Sequence, residues 1–240
     1  MRPLIVTLDG PAGSGKSTVA RLLAQRLGLA FLDTGAMYRA LCVRCIEEGV
    51  DPATQPEAAA RLAARTEMRF DWDTPDDQPP RLLVDDRDVT DRLRDADVTA
   101  IVSDLAAIGP VRQVLVEQQR RIGREHPRLV TEGRDQGSIV FPDAAAKFYL
   151  DANPQERARR RAEQLRQAGR EADEQQILAG ILERDRKDSS RSDGPLICPD
   201  DAVRVDTSDM TLEQVVDHLE QLVRERVGDA LPQRTGGTGG

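Results

Sequence analysis

The stretch Gly10-Pro11-Ala12-Gly13-Ser14-Gly15-Lys16-Ser17, followed by Thr18, limits what this chain can fold into more than any other part of it. It satisfies G-x-x-x-x-G-K-[ST]. Before it, Leu4 to Leu8 is a continuous apolar and partly β-branched run, as a strand buried on both faces of a parallel sheet would read. After it, Lys16 to Leu27 carries Val19, Leu22, Leu23 and Leu27 at helical spacing, and Gly28 closes the segment. The order is strand, glycine loop, helix. In that order successive backbone N–H groups curl inward around phosphate oxygens, and the helix N-terminus adds its dipole. Lys16 is then placed to reach the outer phosphates, and the Ser17 hydroxyl to ligate Mg²⁺. The same residues could form an ordinary glycine-rich turn, but such a turn would not need these flanks.

Composition narrows the partners. The 240 residues are 39% hydrophobic and 32% charged, which suits one domain or a domain with an insertion. Forty-two acidic residues against 34 basic ones leave a net charge of -8, which argues against bulk electrostatic binding to nucleic acid or an anionic membrane. No stretch approaches the roughly 20 apolar residues of a membrane span, and the N-terminus has no signal-peptide pattern, so a cytoplasmic protein is expected. Cys42, Cys45 and Cys198 are too few for a disulfide framework. Cys42 and Cys45 have C-x-x-C spacing, but they lie in a helix-patterned segment with no second pair, and read as small apolar helix residues. His126 and His218 stand alone on polar segments and read as surface residues. The basic residues are lopsided: only Lys16, Lys147 and Lys187 are lysines, and six arginines fall between residues 157 and 170.

Along the chain, strands and helices alternate, which implies a parallel sheet with helices on both faces. A short strand from Leu29 to Leu32 ends in Asp33-Thr34-Gly35, and a helix runs through Met37, Leu41 and Ile46 towards Gly49. From there to about residue 95 the texture changes: prolines punctuate it, and MRFDW and RLLVDDRDV read as short half-buried strands of an inserted β-containing subdomain. Helices are expected over 95–107 and 110–124, then strands in RLVTE and over Lys147 to Leu150. Asn153 and Pro154 start an Arg-rich helix through Gln167. Gly169 breaks it, and a further helix covers about 173–187. Ala202 to Val205 is the last strand, Thr211 and Gln214 form a capping box, and residues 231–240 read as a disordered tail.

A phosphate cradle fits a small-molecule kinase, a guanine-nucleotide switch or a motor module. The switch class would carry an N-K-x-D base reader, and motor modules usually end an apolar strand in Asp-Glu; neither occurs here. A kinase needs a second site, and an acceptor that is itself a phosphate would want arginines away from the loop. Three segments supply them: Asp33-Thr34-Gly35-Ala36-Met37-Tyr38-Arg39, Glu132-Gly133-Arg134-Asp135, and Arg184, Asp188 and Arg191 at i, i+4, i+7.

With LDGPAGSGKST, LDTGAMYR, the stretch Ser103 to Arg112, EGRDQGSIVFPDA, the Arg-rich segment and ERDRKDSSR together, the sequence resembles the bacterial cytidylate kinases over about residues 4 to 225. The resemblance implies a P-loop kinase fold: a parallel sheet flanked by helices, a small antiparallel β-containing insertion and a helical lid. It divides the chain into a core of 1–35, 96–150 and 196–226, a nucleotide-binding insertion of about 36–95 and a lid of about 151–195. It implies transfer from Mg·ATP to CMP or dCMP by a monomer. Gly10 to Thr18 with Arg157 and Arg160 would hold ATP, and Ser17 the metal. Lys16, Arg134, Arg157 and Arg161 would act in the transfer. Thr34, Tyr38 and Arg39 would hold the acceptor; Ser103, Arg112 and Arg191 would read the cytosine edge; Arg134, Asp135 and Arg184 would contact CMP, and Asp188 its sugar. The chain departs from the family pattern at Thr34, where serine is common, and at Glu132, where aspartate is common. Another P-loop kinase with a different acceptor is the nearer alternative, and a nucleotide-binding switch without turnover the more distant one.

Overall fold

A computed structural model describes residues 3–75, 78–167, 169–191 and 193–231. Of the tail expected over 231–240, Leu231 is described and packs into the core, against that expectation, while 232–240 and two residues of the acidic loop, 76 and 77, lie outside the described residues. Strand β1 (Leu4–Asp9) runs into the glycine loop and helix α1 (Lys16–Leu27). Strand β2 (Ala30–Asp33) passes directly into α2 (Thr34–Glu47), because the Asp33 carboxylate caps that helix by accepting from Ala36 N at 2.9 Å. Strands β6 (Arg128–Gly133), β7 (Ala146–Asp151) and β8 (Val203–Asp206) complete a parallel sheet in the order β2-β6-β1-β7-β8.

Side chains of β1 and β6 alternate between the two faces. Leu4, Val6, Leu8 and Val130 pack with Leu23 of α1 and Leu219 of α8 (Leu212–Val227). Ile5 and Leu129 turn to the other side, against α2 and α5 (Gly109–Glu125). Period-2 alternation on strands buried on both faces therefore produces two cores rather than one.

The segment that follows α2 does hold the antiparallel hairpin read from its sequence: β3 (Met68–Asp71), β4 (Arg81–Val84) and the short β5 (Arg87–Asp88). It also holds a helix that the proline texture hid, α3 (Pro56–Arg65), with Pro56 at its first position, where a missing N–H costs nothing. A 3₁₀ turn (Thr90–Arg94) leads to α4 (Ala96–Leu105). Trp72 anchors the hairpin by donating its indole N–H to Phe31 O at 2.8 Å and packing its ring 4.2 Å from that of His126. His126 is thus half-buried and structural, contrary to its reading as a surface residue. Cys42 and Cys45 are buried apolar residues of α2, as read, and Cys198 is exposed; all three are free thiols. Helices α6 (Pro154–Gln167) and α7 (Glu174–Ser189) pack on each other between β7 and β8 in the chain. Among the described residues no single helix is long and apolar enough to cross a membrane.

The carboxyl ends of β1, β2 and β6 lie side by side and carry Asp9, Asp33 and Glu132. The glycine loop leaves the sheet here, in the place where open α/β sheets bind ligands. Gly10 has φ 148°, and a Cβ on it would sit 2.0 Å from Leu150 O of the neighbouring strand. Gly10→Ala is therefore expected to destabilise the fold by on the order of 3 kcal/mol, through backbone strain plus overpacking. Urea unfolding against the parent chain would measure this, and an unchanged midpoint would refute the close approach.

Candidate active site

In the donor cradle, α1 starts at Lys16 after a left-handed Gly15, and the Lys16 side chain folds back over the glycine loop. Its ammonium donates to Pro11 O at 2.7 Å and Ser14 Oγ at 3.3 Å. Burial pulls the Lys16 pKa down to about 7, and the nearby Arg134 adds to that pull. An anion bound beside the ammonium would oppose both effects. The Ser17 hydroxyl donates to Asp33 Oδ2 at 3.2 Å, and Glu132 is the cross-strand neighbour of Asp33. Burial and then Asp33 push Glu132 up to about 8. These hard oxygen donors fit a hydrated divalent cation, which keeps waters and phosphate oxygens as its other ligands. Among the described residues no cluster of three or more His, Cys, Asp or Glu forms a metal cage of its own.

The cleft continues from the cradle past β6 to α4, α5 and α7, and its volume is about 1610 Å³. Clefts that hold one drug-sized ligand measure roughly 300–1,000 Å³. The space is ample for two nucleotides end to end.

The three acceptor segments meet in this cleft. Arg112, only 3% exposed, pairs with Asp135 and donates to the Tyr38 hydroxyl at 3.3 Å. Burial raises the Tyr38 phenol, so it remains a neutral hydrogen-bonding group. Asp188, 1% exposed, lies between Arg134 (Nε to Oδ2, 2.8 Å) and Arg191. Helix α7 ends at Ser189, so Arg191 lies just beyond the helix, yet it still reaches Asp188. Burial alone would raise the Asp188 carboxyl, but Arg134, Arg191 and Arg184 outweigh it and hold it below the ordinary value. Arg184 Nε is buried and meets no hydrogen-bond partner among the described residues; burial and then Arg134 lower Arg184 to about 10, against an opposing pull from Asp188. Thr34 is buried and donates to Glu132 O at 2.7 Å, stitching α2 to β6. Arg39 donates to Leu93 O and Thr99 Oγ1, and Ser103 lines the same wall.

The arginines of α6 divide. Arg161 faces the cleft, with Nη1 on Gln164 Oε1 at 3.0 Å. Arg160, read from sequence as a phosphate contact, lines the cleft as well, whereas Arg157, read the same way, does not. Arg160 binds Glu156 and the carbonyls of Thr207 and Ser208, which shapes the loop between β8 and α8. Arg157, 3% exposed, lies beneath the glycine loop on Ala152 O, Ala12 O and Asp185. Residues three and four apart share a helix face, so the division comes from what packs on that face: the glycine loop and Asp185 at Arg157, and the carbonyls after β8 at Arg160.

Four residues of the site were not singled out from the sequence. Asp9 accepts from Gln136 N and Gly137 N, Asp33 from Ser17, and Asp185 from Ala12 N. Arg94 lines the cleft, and after burial it is the next contributor that lowers Arg161. Asp9, Asp33 and Asp185 do sit inside the motif segments, which was the available signal; Arg94 had none.

A phosphate loop at the head of a parallel sheet, joined to an arginine-lined second chamber, defines a P-loop phosphotransferase. The family model described as cytidylate kinase matches residues 6–225, and the chain belongs to that family. It is 42% identical to a cytidylate kinase of Azotobacter vinelandii over 94% of this chain and 97% of that one. It is 47% identical to a bifunctional pantoate ligase/cytidylate kinase of Synechococcus elongatus over 97% of this chain but 44% of the other, so it spans a little under half the length of such relatives. A solved structure from Eubacterium ventriosum shares the fold, with TM-score 0.51 and 12% identity over 94% of this chain and all of that one.

Asp188→Asn removes the anion that Arg134 and Arg191 share, and is expected to cost about 3 kcal/mol, as when one member of a buried ion pair is lost. Because the native state holds this carboxyl below its ordinary value of 3.8, its contribution is fully present above that pH and lost as pH falls below it. Unfolding measured from pH 7 to 3 should show the gap between parent and variant closing at the acid end. A gap that stays constant with pH would contradict the arrangement.

Proposed function

We propose that this chain transfers the γ-phosphoryl group of Mg·ATP to the 5′-phosphate of CMP or dCMP, giving CDP or dCDP. The observation that carries the reading is one continuous cleft with a phosphate cradle at one end and Arg112–Asp135 and Arg134–Asp188–Arg191 at the other. The attacking group is an already ionised phosphate oxygen, so no general base is needed. What transfer requires is in-line positioning and positive charge around the equatorial oxygens.

Lys16 supplies that charge from the donor side, and Arg39, Arg134, Arg161 and Arg184 from the acceptor and lid sides. Arg157 shapes the donor site from beneath the loop, and Arg160, which lines the cleft, is assigned to ATP. Ser17 would hold Mg²⁺, with Asp33 and Glu132 beside it. Bound there, the ion would neutralise phosphate charge and orient the donor. At the far end, a carboxylate accepts from the exocyclic amine of cytosine while guanidinium groups donate to its ring acceptors. Asp135, Arg112, Arg191 and Ser103 offer that combination. Uracil presents a carbonyl where cytosine has the amine, and would set an acceptor against Asp135. Asp188 and Arg184 are assigned to the sugar side.

The division into core, an insertion of about 36–95 and a lid of about 151–195 belongs to the same proposal, with closure of the lid excluding water from the phosphoryl group. A monomer working in the cytoplasm completes it, a setting in which three free thiols persist.

The deciding experiment is a coupled assay with Mg·ATP and CMP, dCMP, UMP, AMP or GMP. CMP and dCMP are expected to lead, whereas preference for AMP, or no product from any monophosphate, would overturn the reading. Lys16→Ala should lower turnover by on the order of 10³ or more with the fold retained. Arg191→Ala should narrow the difference between CMP and UMP, and unchanged selectivity would remove Arg191 from the base-reading set.

A further inference from the structure

Asp185 and Arg157 hold the backbone of the glycine loop from the side opposite the cleft. Arg157 Nη1 donates to Ala12 O at 2.9 Å, and Ala12 N donates to Asp185 Oδ1 at 3.3 Å. The two side chains also bind each other, with Nη1 to Oδ2 at 2.7 Å. A guanidinium and a carboxylate therefore satisfy both backbone groups of one residue, much as a neighbouring strand would. Arg157 comes from α6 and Asp185 from α7, so the clamp joins both of those helices to the loop. Arg157 is itself fixed by Nε on Ala152 O at 2.9 Å. Gly13, the next residue of the loop, rests on the same two helices: a Cβ there would lie 3.6 Å from Arg157 Cβ and 3.7 Å from Ile181 Cδ1.

We propose that Asp185 is a positioning residue for the phosphoryl donor, acting with Arg157 through the Ala12 peptide to hold the glycine loop in its phosphate-binding shape. The inference rests on the donor half of the function proposed above and not on the identity of the acceptor. A loop with three glycines in six residues has many backbone states, and donor binding is tight only if that freedom is removed beforehand. The clamp removes it at Ala12. Because its two members ride on α6 and α7, the loop's shape and the position of those helices form one coupled variable.

The test is the affinity for Mg·ATP alone, by calorimetry, in Asp185→Asn, in Arg157→Gln and in the double variant, with steady-state KM values for both substrates alongside. Asp185→Asn keeps the side-chain volume but puts an amide where an anion met one guanidinium and one N–H. Mg·ATP binding is expected to weaken roughly tenfold, the size of one charge-assisted hydrogen bond, while the KM for CMP stays within about twofold. The double variant should bind no worse than the weaker single one, because each substitution already breaks the clamp. Unchanged Mg·ATP affinity, equal losses for both substrates or additive single effects would overturn the inference. So would loss of folded protein in either single variant, which would make the pair an ordinary stabilising ion pair. Calorimetry without acceptor keeps this result separate from the acceptor assignment: a parent chain inactive on CMP would defeat that assignment and leave the donor measurement decisive.

Discussion

The carboxylate of Asp9 joins the two halves of this molecule. It ends the central strand, one residue before the glycine loop, and accepts the backbone N–H groups of Gln136 and Gly137 at 2.8 and 2.7 Å. Those two residues follow Arg134 and Asp135 directly, so the glycine loop and the turn that carries Arg134 and Asp135 hang from one buried group. The position is electrostatically costly: burial, with a contribution from Asp135, pushes Asp9 up to about 6 despite both backbone donors. A buried acceptor with two N–H partners is nonetheless far better placed than two orphaned N–H groups would be. A π-helical turn at Gln136–Val140 follows, closed by Val140 N on Asp135 O at 3.1 Å and Phe141 N on Gln136 O at 2.7 Å, and its first N–H groups are the ones that Asp9 accepts.

The rest of the cleft is organised around scarce anions. The chain as a whole is acidic, with net charge -8, yet near its reacting centre guanidinium groups outnumber carboxylates. Asp188 serves Arg134 and Arg191 together, Asp135 serves Arg112, and Arg184 Nε meets no hydrogen-bond partner among the described residues. Burial first, and then the neighbouring Arg134, depress both Arg184 and Lys16. Net charge describes long-range attraction to polyanions, whereas a buried cleft is governed by local geometry and low dielectric. The two therefore have opposite signs here without conflict.

Much of this was legible in the residues alone. The strand–loop–helix unit, the parallel sheet and the β-hairpin of the insertion follow from periodicity and from glycine and proline placement, which are local properties. The segments LDTGAMYR, EGRDQG and ERDRKDSSR converge as their motifs implied. Helix α3 was hidden because a proline at a helix start and a proline in a loop look alike without the packing that follows. The half-buried position of His126 depends on Trp72, more than 50 residues earlier in the chain.

The division of labour among the arginines was not legible. Arg157, Arg160 and Arg161 lie within five residues on one helix, and sequence offers the same guanidinium at each. Where each one points depends on what packs against α6: the glycine loop and Asp185 beneath Arg157, the loop carbonyls beside Arg160, and the open cleft before Arg161. The sequence by itself therefore determined the fold class, the phosphate cradle and the residue types available for transfer, because these rest on local backbone chemistry and side-chain inventory. Only the tertiary structure decided which charges neutralise one another and which remain for a ligand, because pairing energies depend on distances and burial among segments far apart in the chain.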